Sequence, residues 1–407
     1  MSFFKQTIRD VPLDHQTVLV RADYNVPLKE DGTIDDDFRI RSSLPTLHAL
    51  IERGCKVVIM SHLGRPERRD STQSLEPIAK HLGDLLGKEV NFVDDCIGDK
   101  VYQATKKAQP RSVTLLENLR FYKEEEQNDS AFAQKLAHDS NARYFVQDGF
   151  GVVHRAHAST QAITQYLPAV AGLLLEKEYT SITKAMRSPA RPLVAVLGGA
   201  KVGDKIKVIK ALVDEADAIV ISGAMANTFL AYRGLDMGKS KVEPDAGQIL
   251  DDIYETVAKK VGEDKVDEFI VLPVDVAVSD AFENSERREV RVDEVKSTDM
   301  ALDVGHRTID KVDAIVTAAK TVIWNGTLGV SEFSNYAHGS ARLALVLATH
   351  PAIESIVGGG DTVDFVLKWD ARNGGSFSHV SSGGGASLEL MAGDKLPGVE
   401  SLLDALK

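Results

Sequence analysis

The sequence predicts an α/β protein made of two doubly wound, parallel-sheet (Rossmann-like) domains joined by a helical hinge. Three observations predict this fold. Short apolar runs alternate with amphipathic helical patterns from residue 17 to residue 150, the alternation starts again at residue 192, and one long helical segment separates the two series. Runs that are apolar throughout are typical of parallel strands buried on both faces, with the intervening helices covering those faces.

Each series supplies a set of strands for one sheet. In the first series, strands are predicted at 17–24, 56–63, 89–95, 113–121 and 142–150, and helices at 39–54 and 76–87. The segment 172–192 predicts a long helix that ends in proline-rich turns. In the second series, strands are predicted at 192–199, 218–226, 269–278, 321–329 and 355–361. Ligands of open parallel sheets bind outside the carboxyl ends of the strands, so functional residues are expected just after these runs.

The composition bounds the class of protein. A chain of 407 residues suits two domains, and a hydrophobic content of 43% is ample for packed cores. A net charge of −12 argues against a nucleic-acid-binding protein, although it leaves room for a local basic cleft. Cys55 and Cys96 lie far apart, in or beside apolar stretches, which fits small buried hydrophobic residues in a reducing compartment.

No membrane or secretion signal is predicted. The opening segment "MSFFKQTIRD" lacks the long apolar core of a signal peptide, and the most apolar stretch, 167–175, is too short to cross a bilayer. The sequence therefore predicts a cytoplasmic protein with no membrane and no nucleic-acid partner.

Three glycine-rich turns follow apolar runs in the second half, at 197–205, 357–362 and 381–387. Glycine lets backbone N–H groups approach an anion, and the helix that follows each turn adds partial positive charge. Lys201 and Lys205, four residues apart at a predicted helix start, share one face. A solvated lysine pair is one interpretation. We favour a bound polyanion that neutralises both charges, because the neighbouring glycines supply matching donors.

Several known phosphate and catalytic motifs are missing. The P-loop spacing G-x-x-x-x-G-K-[ST] does not occur at these turns, and no G-x-G-x-x-G follows the first strand of either half. No histidine–carboxylate spacing resembles a zinc site, and no G-x-S-x-G elbow is present. The first absence excludes P-loop enzymes, and the others leave no signature of a dinucleotide-binding domain, a zinc site or a nucleophile elbow.

The predicted strand ends of the first half carry cations. This set comprises Arg39, His62, Arg65, Arg120, His154, Arg155 and His157, together with Asp23 and Asn25. Arginine grips phosphate and carboxylate in bidentate fashion, so the set predicts a small anionic substrate. For His62 a turn-stabilising role is an equal alternative. Arg21 lies inside the strand pattern and is interpreted as the partner of an internal carboxylate, outside the site. The run "KEEEQND" (123–129) is interpreted as solvated loop charge.

The sequence thus predicts that one half holds nucleotide phosphates and the other a small polyanion. This arrangement suits phosphoryl transfer between two bound anions, with hinge closure expelling water. Two alternatives stay open at this point. One is a two-domain binding protein that closes on an anion without chemistry. The other is a different acid kinase that uses a covalent or acid–base residue.

Ordered blocks along essentially the whole chain resemble the phosphoglycerate kinase family. The blocks include "RADYNVPL", "SHLGRP", "LLENLRF", "DGFGVVHRAHAS", "LGGAKVGDK", "WNGTLGVSE", "GGGDT" and "SSGGGASLELMAGDKLPGV". The resemblance implies reversible transfer of the acyl phosphate of 1,3-bisphosphoglycerate to Mg²⁺-ADP, which gives 3-phosphoglycerate and ATP. It also implies a monomer.

The resemblance implies a role for each matching residue. Implied ligands of 3-phosphoglycerate are Asp23, Tyr24, Asn25, Arg39, His62, Leu63, Gly64, Arg65, Arg120 and Arg155. Implied ligands of the nucleotide are Lys201, Lys205, Gly223, Gly305, Asn325, Glu332, Gly358, Gly359, Gly360, Asp361 and Thr362, with Asp361 also coordinating magnesium. Arg39, Lys201, Gly360 and Gly383 are implied catalytic residues at the transferring phosphoryl group.

The resemblance also implies domain limits. The first domain spans 1–171 and includes 390–407, the hinge spans 172–191, and the nucleotide-binding domain spans 192–389. The final segment, "LPGVESLLDALK", predicts a helix that returns to the first domain. Ser222, His306, Thr327, Leu328 and Ser331 depart from the usual family pattern on the nucleotide side, which leaves base selectivity open.

Overall fold

The computed structural model describes residues 3–406 and divides the chain into two compact units. Unit 1 contains the chain up to Thr180 and again from Lys395, whereas unit 2 is the continuous segment Ser181–Asp394. The predicted domain limits at 171, 191 and 389 remain predictions. Across residues 3–406, no helix combines the length and apolarity needed to span a bilayer.

Unit 1 contains one parallel six-stranded sheet with strand order β3-β4-β2-β1-β5-β6. Its elements are β1 (Thr17–Arg21), α1 (Phe38–Glu52), β2 (Lys56–Met60), α2 (Glu76–Leu86), β3 (Val90–Val93), α3 (Asp99–Lys107), β4 (Val113–Leu116), α4 (Ser130–Asp139), β5 (Tyr144–Gln147), β6 (Ala169–Ala171) and α5 (Leu173–Arg187), which continues into unit 2.

The apolar strands of unit 1 are buried as their composition predicts. Val18, Leu19 and Val20 of β1 are fully buried, and Val18 pairs with Val57 of β2. Helices between successive strands cover both faces, so side chains that point either way meet apolar neighbours. This packing fixes the carboxyl ends of β1, β2 and β5 along one edge of the sheet.

Unit 2 contains a second parallel six-stranded sheet, of order β15-β14-β13-β7-β8-β9, and a three-stranded antiparallel sheet, of order β11-β10-β12. Its strands are β7 (Leu193–Leu197), β8 (Ala218–Ile221), β9 (Ile270–Val271), β10 (Asp275–Ser279), β11 (Arg288–Arg291), β12 (Met300–Val304), β13 (Thr321–Asn325), β14 (Glu354–Gly358) and β15 (His379–Val380). Its helices are α6 (Ile206–Glu215), α7 (Gly223–Tyr232), α8 (Gly247–Val261), α9 (Val266–Phe269), α10 (His306–Ala318), α11 (His338–Thr349), α12 (Gly360–Trp369) and α13 (Gly385–Met391).

The prediction of one strand at 269–278 is wrong. The chain leaves the parallel sheet after Val271, and β10 begins at Asp275 in the antiparallel sheet. Pro273 lies at the break, and a proline cannot donate a ladder hydrogen bond inside a sheet. The apolar run therefore serves two sheets, which periodicity alone does not reveal.

Two predicted helices at the unit boundaries have different outcomes. The long helix predicted at 172–192 is confirmed as α5. The predicted C-terminal helix is reduced to one turn, α14 (Pro397–Glu400), and the described chain beyond it is irregular apart from a bridge between Asp404 and Lys5. Leu403 accepts a hydrogen bond from the Gln6 N–H and donates its own to the Ala169 carbonyl. These bonds to the first unit satisfy backbone groups that a longer helix would have used internally.

The C-terminal segment also satisfies a buried lysine near the start of the chain. Lys5, 5% exposed, donates to the carbonyl oxygens of Glu400 at 2.8 Å and Leu402 at 2.9 Å. It also forms an ion pair of 2.7 Å with Asp404. Lys5 and residues 400–404, far apart in sequence, are thereby joined within unit 1.

Candidate active site

The predicted anion-binding residues of unit 1 gather where β1 and β2 end. Asp23 and Asn25 follow β1, and Gly64 follows β2. Arg39, in the first turn of α1, donates to the Asp23 carboxylate and to the Asn25 carbonyl, each at 3.1 Å. The Asn25 side chain accepts the Gly64 N–H at 2.8 Å. The two loops are therefore held together by hydrogen bonds.

Arginines dominate the charge at this edge. The largely buried Arg120 donates to the Gly64 carbonyl at 2.6 Å and lies 3.2 Å from the Glu126 carboxylate. Burial lowers the pKa of Arg120, and the nearby charges of Arg155 and Arg65 lower it further. Arg65 and Arg155 are exposed, and within residues 3–406 neither has a carboxylate at ion-pair distance. The positive potential of this set is therefore only partly neutralised.

Three histidines lie among the arginines. His62 is 3% exposed, and burial together with Arg21 and Arg120 holds its pKa well below the usual value. Burial and the same two arginines lower the pKa of His157 to about 4. The pKa of His154 is lowered by burial and by Arg155. All three rings are therefore neutral at pH 7 and act as hydrogen-bonding groups in this cationic region.

Two implied substrate ligands, Tyr24 and Leu63, have side chains in the interior. The Tyr24 hydroxyl lies 2.9 Å from the Ser43 hydroxyl, and its ring is fully buried. The backbone N–H and carbonyl of Leu63 both bind the side chain of Asn118, at 3.2 and 2.8 Å. Both residues thus shape the loops. Sequence reasoning did not single out Asn118, although it lies between a strand end and Arg120.

Arg21 is paired with an internal carboxylate, as predicted. Its guanidinium lies 3.8 Å from Glu125, and the two side chains are 1% and 0% exposed. The interpretation of the whole run 123–129 as solvated charge is therefore wrong at Glu125. A buried carboxylate needs a partner, and Arg21 and Ser159 supply one here. The flanking Glu124 and Glu126 gave no sequence signal that the middle residue points inward.

In unit 2, the first glycine turn and the end of β13 approach each other closely. A Cβ on Gly198 would lie 2.1 Å from the Thr327 carbonyl oxygen, and one on Gly326 would lie 2.3 Å from the Gly198 carbonyl carbon. Gly326 also has φ of +104°, a conformation that disfavours any other residue. The close packing therefore requires glycine at both Gly198 and Gly326.

The two lysines of this turn do not share a helix face, which corrects the sequence interpretation. Lys201 precedes the 3₁₀ turn Gly203–Lys205, and α6 begins only at Ile206. Lys205 is mostly buried and donates to the carbonyl oxygens of Gly198 at 2.6 Å and Asn325 at 2.9 Å. Burial lowers its pKa to about 8, opposed by Asp361 and Asp204. Lys201 is exposed and has no ion pair within residues 3–406.

The second glycine turn surrounds an unpaired amide. The Asn325 Nδ2 atom is buried and has no hydrogen-bond partner within the described part of the chain. A Cβ on Gly359 would lie 3.1 Å from this atom, so the glycine leaves room beside it. The Thr362 hydroxyl accepts the Gly326 N–H at 2.7 Å and keeps its own proton to donate. These groups present donors suited to phosphate oxygens.

Asp361 follows this turn as an exposed carboxylate. It makes no hydrogen bond or ion pair with residues 3–406, although its charge is felt by Lys205. A free carboxylate beside phosphate-binding donors fits Mg²⁺, which is usually held by one or two carboxylates together with phosphates and water.

A cavity of about 450 Å³ adjoins these turns within unit 2. Among the predicted nucleotide ligands, Gly223, Glu332 and Asp361 line it. Leu328, already placed on the nucleotide side by the resemblance, lines it too, and apolar residues that the sequence analysis missed complete its walls: Val276, Phe282, Leu302 and Val330. Because they come from four separate segments, nothing in the sequence brought them together. An apolar cavity with a few polar groups is typical of a small-molecule site.

The remaining implied nucleotide and catalytic glycines lie at helix starts or turns. Gly305 precedes α10, and a Cβ there would lie 2.4 Å from the Asp275 carboxyl carbon. Gly358 ends β14, and Gly360 opens α12 with free space where a Cβ would be. Gly383 donates its N–H to the Ser381 hydroxyl at 3.1 Å. The N–H groups of Gly305 and Gly383 are thus bonded to Asp275 and Ser381, and the roles assigned to these glycines remain predictions.

The fold and the two subsites, one rich in arginine and one built from glycine turns and lysines, define a phosphotransferase. The chain belongs to the phosphoglycerate kinase family, whose model matches residues 8–394. A phosphoglycerate kinase from Moorella thermoacetica is 44% identical over 402 residues, covering 98% of this chain and 99% of the relative. One from Aquifex aeolicus is 45% identical over 402 residues, covering 98% of each chain.

Solved structures agree with this assignment. The structure of phosphoglycerate kinase from Coxiella burnetii superimposes with a TM-score of 0.84 at 35% identity and covers 98% of both chains. The enzyme from Pyrococcus horikoshii gives a TM-score of 0.83 at 32% identity with the same coverage. The predicted family and α/β fold class are confirmed.

Proposed function

We propose that this chain transfers the acyl phosphate of 1,3-bisphosphoglycerate to Mg²⁺-ADP, reversibly giving 3-phosphoglycerate and ATP. The observation that carries the proposal is the partly neutralised arginine set of unit 1. Arg65 and Arg155 have no carboxylate partner in the described chain, and both lie near enough to Arg120 to lower its pKa. A doubly charged phosphate is the group such a set binds best.

Unit 1 would hold 3-phosphoglycerate. Arg65, Arg120 and Arg155 would bind its 3-phosphate, with His62 and Asn25 on the rest of the molecule. Asp23 would act through Arg39, which it holds at 3.1 Å. The attacking carboxylate of 3-phosphoglycerate is ionised at neutral pH, so the reaction needs no general base. This agrees with a subsite whose histidines have lowered pKa values.

Unit 2 would hold the nucleotide. The unpaired Asn325 amide, the Thr362 hydroxyl and Lys205 would bind its phosphates, and the 450 Å³ cavity would take the base and ribose near Glu332. Asp361 would hold Mg²⁺, which supplies charge neutralisation on the phosphate oxygens when bound. Phe282, Leu328 and Val330 offer apolar contacts, which suit the uncharged base of a nucleotide.

The transfer itself would be direct and in line. Phosphoryl transfer needs alignment and positive charge on the equatorial oxygens more than covalent chemistry from the protein. Arg39 and Lys201 would supply that charge, and the N–H group of Gly360 would add a donor, whereas that of Gly383 would first have to leave the Ser381 hydroxyl. Direct transfer requires the two reactants to meet, so we also propose that the hinge closes when both are bound. We further propose that the chain acts as a monomer in the cytoplasm.

A coupled assay of ATP-dependent phosphorylation of 3-phosphoglycerate tests the proposal. Arg39→Ala and Lys201→Ala should each lower kcat by about 10³-fold, since each removes a cation from the migrating group. Lys259→Ala, which removes an exposed lysine paired with Glu255 on α8, is the matched control and should turn over normally. Near-normal kcat in both active-site variants would refute the assigned roles, and wild-type protein that binds 3-phosphoglycerate without turnover would refute the proposed reaction.

A further inference from the structure

Arg21 is a buried cation beside the anion subsite to which the reaction assigns no task. It is the last residue of β1 and is 1% exposed. Its Nε donates to the Ser159 hydroxyl at 2.7 Å, and Nη1 donates to the Ala22 carbonyl. Nη2 lies 3.3 Å from the Nδ1 atom of His62. The guanidinium is therefore locked in one orientation against the His62 ring.

The chemistry of arginine decides which His62 nitrogen carries a hydrogen. A guanidinium has five N–H donors and no acceptor, so Nδ1 must accept the bond from Arg21. The Asp23 carboxylate lies 4.0 Å from the same nitrogen, too far for Nδ1 to donate to it. Because a neutral imidazole has one donor and one acceptor, the hydrogen of His62 lies on Nε2.

The Nε2 atom faces no protein partner. Within residues 3–406 it makes no hydrogen bond, and it is absent from the fully buried unpaired polar atoms of this region. It is therefore accessible to a ligand even though the ring as a whole is 3% exposed. Arg39 and Arg120, whose charges act on His62, are among the groups assigned above to the substrate.

We propose that Arg21 is a positioning residue that fixes neutral His62 as its Nε2–H tautomer and so aims one donor at an anionic oxygen of the substrate. The inference about the tautomer stands on the geometry of unit 1. Only the identity of the ligand, 3-phosphoglycerate, rests on the proposed function.

Glu125 is the buried counter-charge that stabilises Arg21 in the interior. Its carboxylate lies 3.8 Å from Arg21 and accepts hydrogen bonds from the Ser159 N–H and hydroxyl. Replacing only Arg21 would strand this carboxylate without a counter-charge, which is strongly destabilising. A double replacement, Arg21→Met with Glu125→Gln, removes both charges together and keeps the test interpretable.

The first experiment uses the wild-type chain and needs no variant to fold. Long-range ¹H–¹⁵N correlation spectra of protein labelled at histidine distinguish protonated from unprotonated ring nitrogens. His62→Gln assigns the signal. We expect an Nε2–H tautomer at pH 7, and a protonated Nδ1 would overturn the proposal.

The second experiment measures both the tautomer and the affinity for 3-phosphoglycerate in variants. Glu125→Gln is the matched control: Asp23 remains a nearby counter-charge for Arg21, so this variant should keep the Nε2–H tautomer. Arg21→Met/Glu125→Gln should give a mixture of tautomers and bind 3-phosphoglycerate about tenfold more weakly, the effect of losing one hydrogen bond to a charged group. Arg21→Lys, which keeps a donor and a charge, should restore most of both signals.

The outcomes separate the two proposals. An unchanged tautomer in the double variant would overturn the role of Arg21, whatever happens to binding. A wild-type Nε2–H tautomer that changes in the double variant, in a protein that does not bind 3-phosphoglycerate at all, would uphold the positioning role and refute the proposed substrate.

Discussion

The two subsites bind anions by different means. Unit 1 uses charged side chains, of which Arg120 is held by the Gly64 carbonyl and the Glu126 carboxylate. Unit 2 uses backbone at glycine turns, with Lys205 tied to the Gly198 and Asn325 carbonyls. We therefore expect unit 1 to fold after one side chain of its subsite is removed. In unit 2 a change to the glycine backbone should disturb both ligand binding and packing.

The largest expected effect follows from breaking the backbone subsite. Gly326→Ala places a Cβ 2.3 Å from the Gly198 backbone at φ of +104°, so the two turns must separate. We expect a loss of about 3 kcal/mol in the free energy of unfolding, from overpacking and strain together, and a loss of Mg²⁺-ADP binding. Urea unfolding and nucleotide titration measure these effects.

Gly234→Ala is the matched control for this prediction. Gly234 also has positive φ, +86°, but a Cβ there would meet nothing within 4 Å. It should cost only about 1 kcal/mol, the conformational penalty alone. Equal losses in the two variants would show that the close backbone approach is unimportant.

The next effect breaks the side-chain subsite while leaving the fold in place. Arg120→Met removes the guanidinium that binds Gly64, and we expect the Kd for 3-phosphoglycerate to rise about 100-fold. The Kd for Mg²⁺-ADP should stay unchanged. Calorimetric titration with each ligand tests this, with exposed Arg68→Met as the control. A matching loss of nucleotide affinity would contradict the division of labour between the units.

The pH dependence of binding sharpens the comparison. The pKa of Lys205 is lowered to about 8 by burial, so the lysine is charged below pH 8 and neutral above it. Affinity for ADP should therefore be steady from pH 6.5 to 7.5 and fall by at most about tenfold per pH unit above pH 8. Lys205→Met should abolish this slope. Affinity for 3-phosphoglycerate, which rests on arginines, should show no such fall in fluorescence titrations over the same range.

The smallest effect concerns the cavity wall. Phe282 is 64% exposed, and its ring packs against Phe333 at 5.0 Å between centroids. Phe282→Ala removes apolar surface from one side of the cavity, so we expect the Kd for ADP to rise only about threefold. The Kd for 3-phosphoglycerate is the internal reference. A change of 100-fold would mean that this ring, and not the phosphate turns, dominates nucleotide affinity.

The parallel sheets were predictable because strands buried on both faces are apolar throughout, as in β1 and β7. The antiparallel sheet was not, because β11 is short and partly exposed, and β10 continues an apolar run that already belongs to another sheet. The cations of both subsites were identified from strand ends and glycine turns, whereas Glu332 and the role of Asp361 came from the family resemblance. Asn118, buried Glu125 and most of the apolar cavity wall were missed, because their placement depends on contacts between segments far apart in sequence.

Because Lys5 binds residues 400–404, the two units become complete at different times during synthesis. Unit 2 is continuous and is complete as soon as Asp394 has left the ribosome. Unit 1 is complete only after residues 395–404 have been made, although it also contains segments made before unit 2. The unit that begins before the other is therefore completed after it, and a chain terminated at Asp394 would contain a complete unit 2 but would lack the segment that binds Lys5 in unit 1.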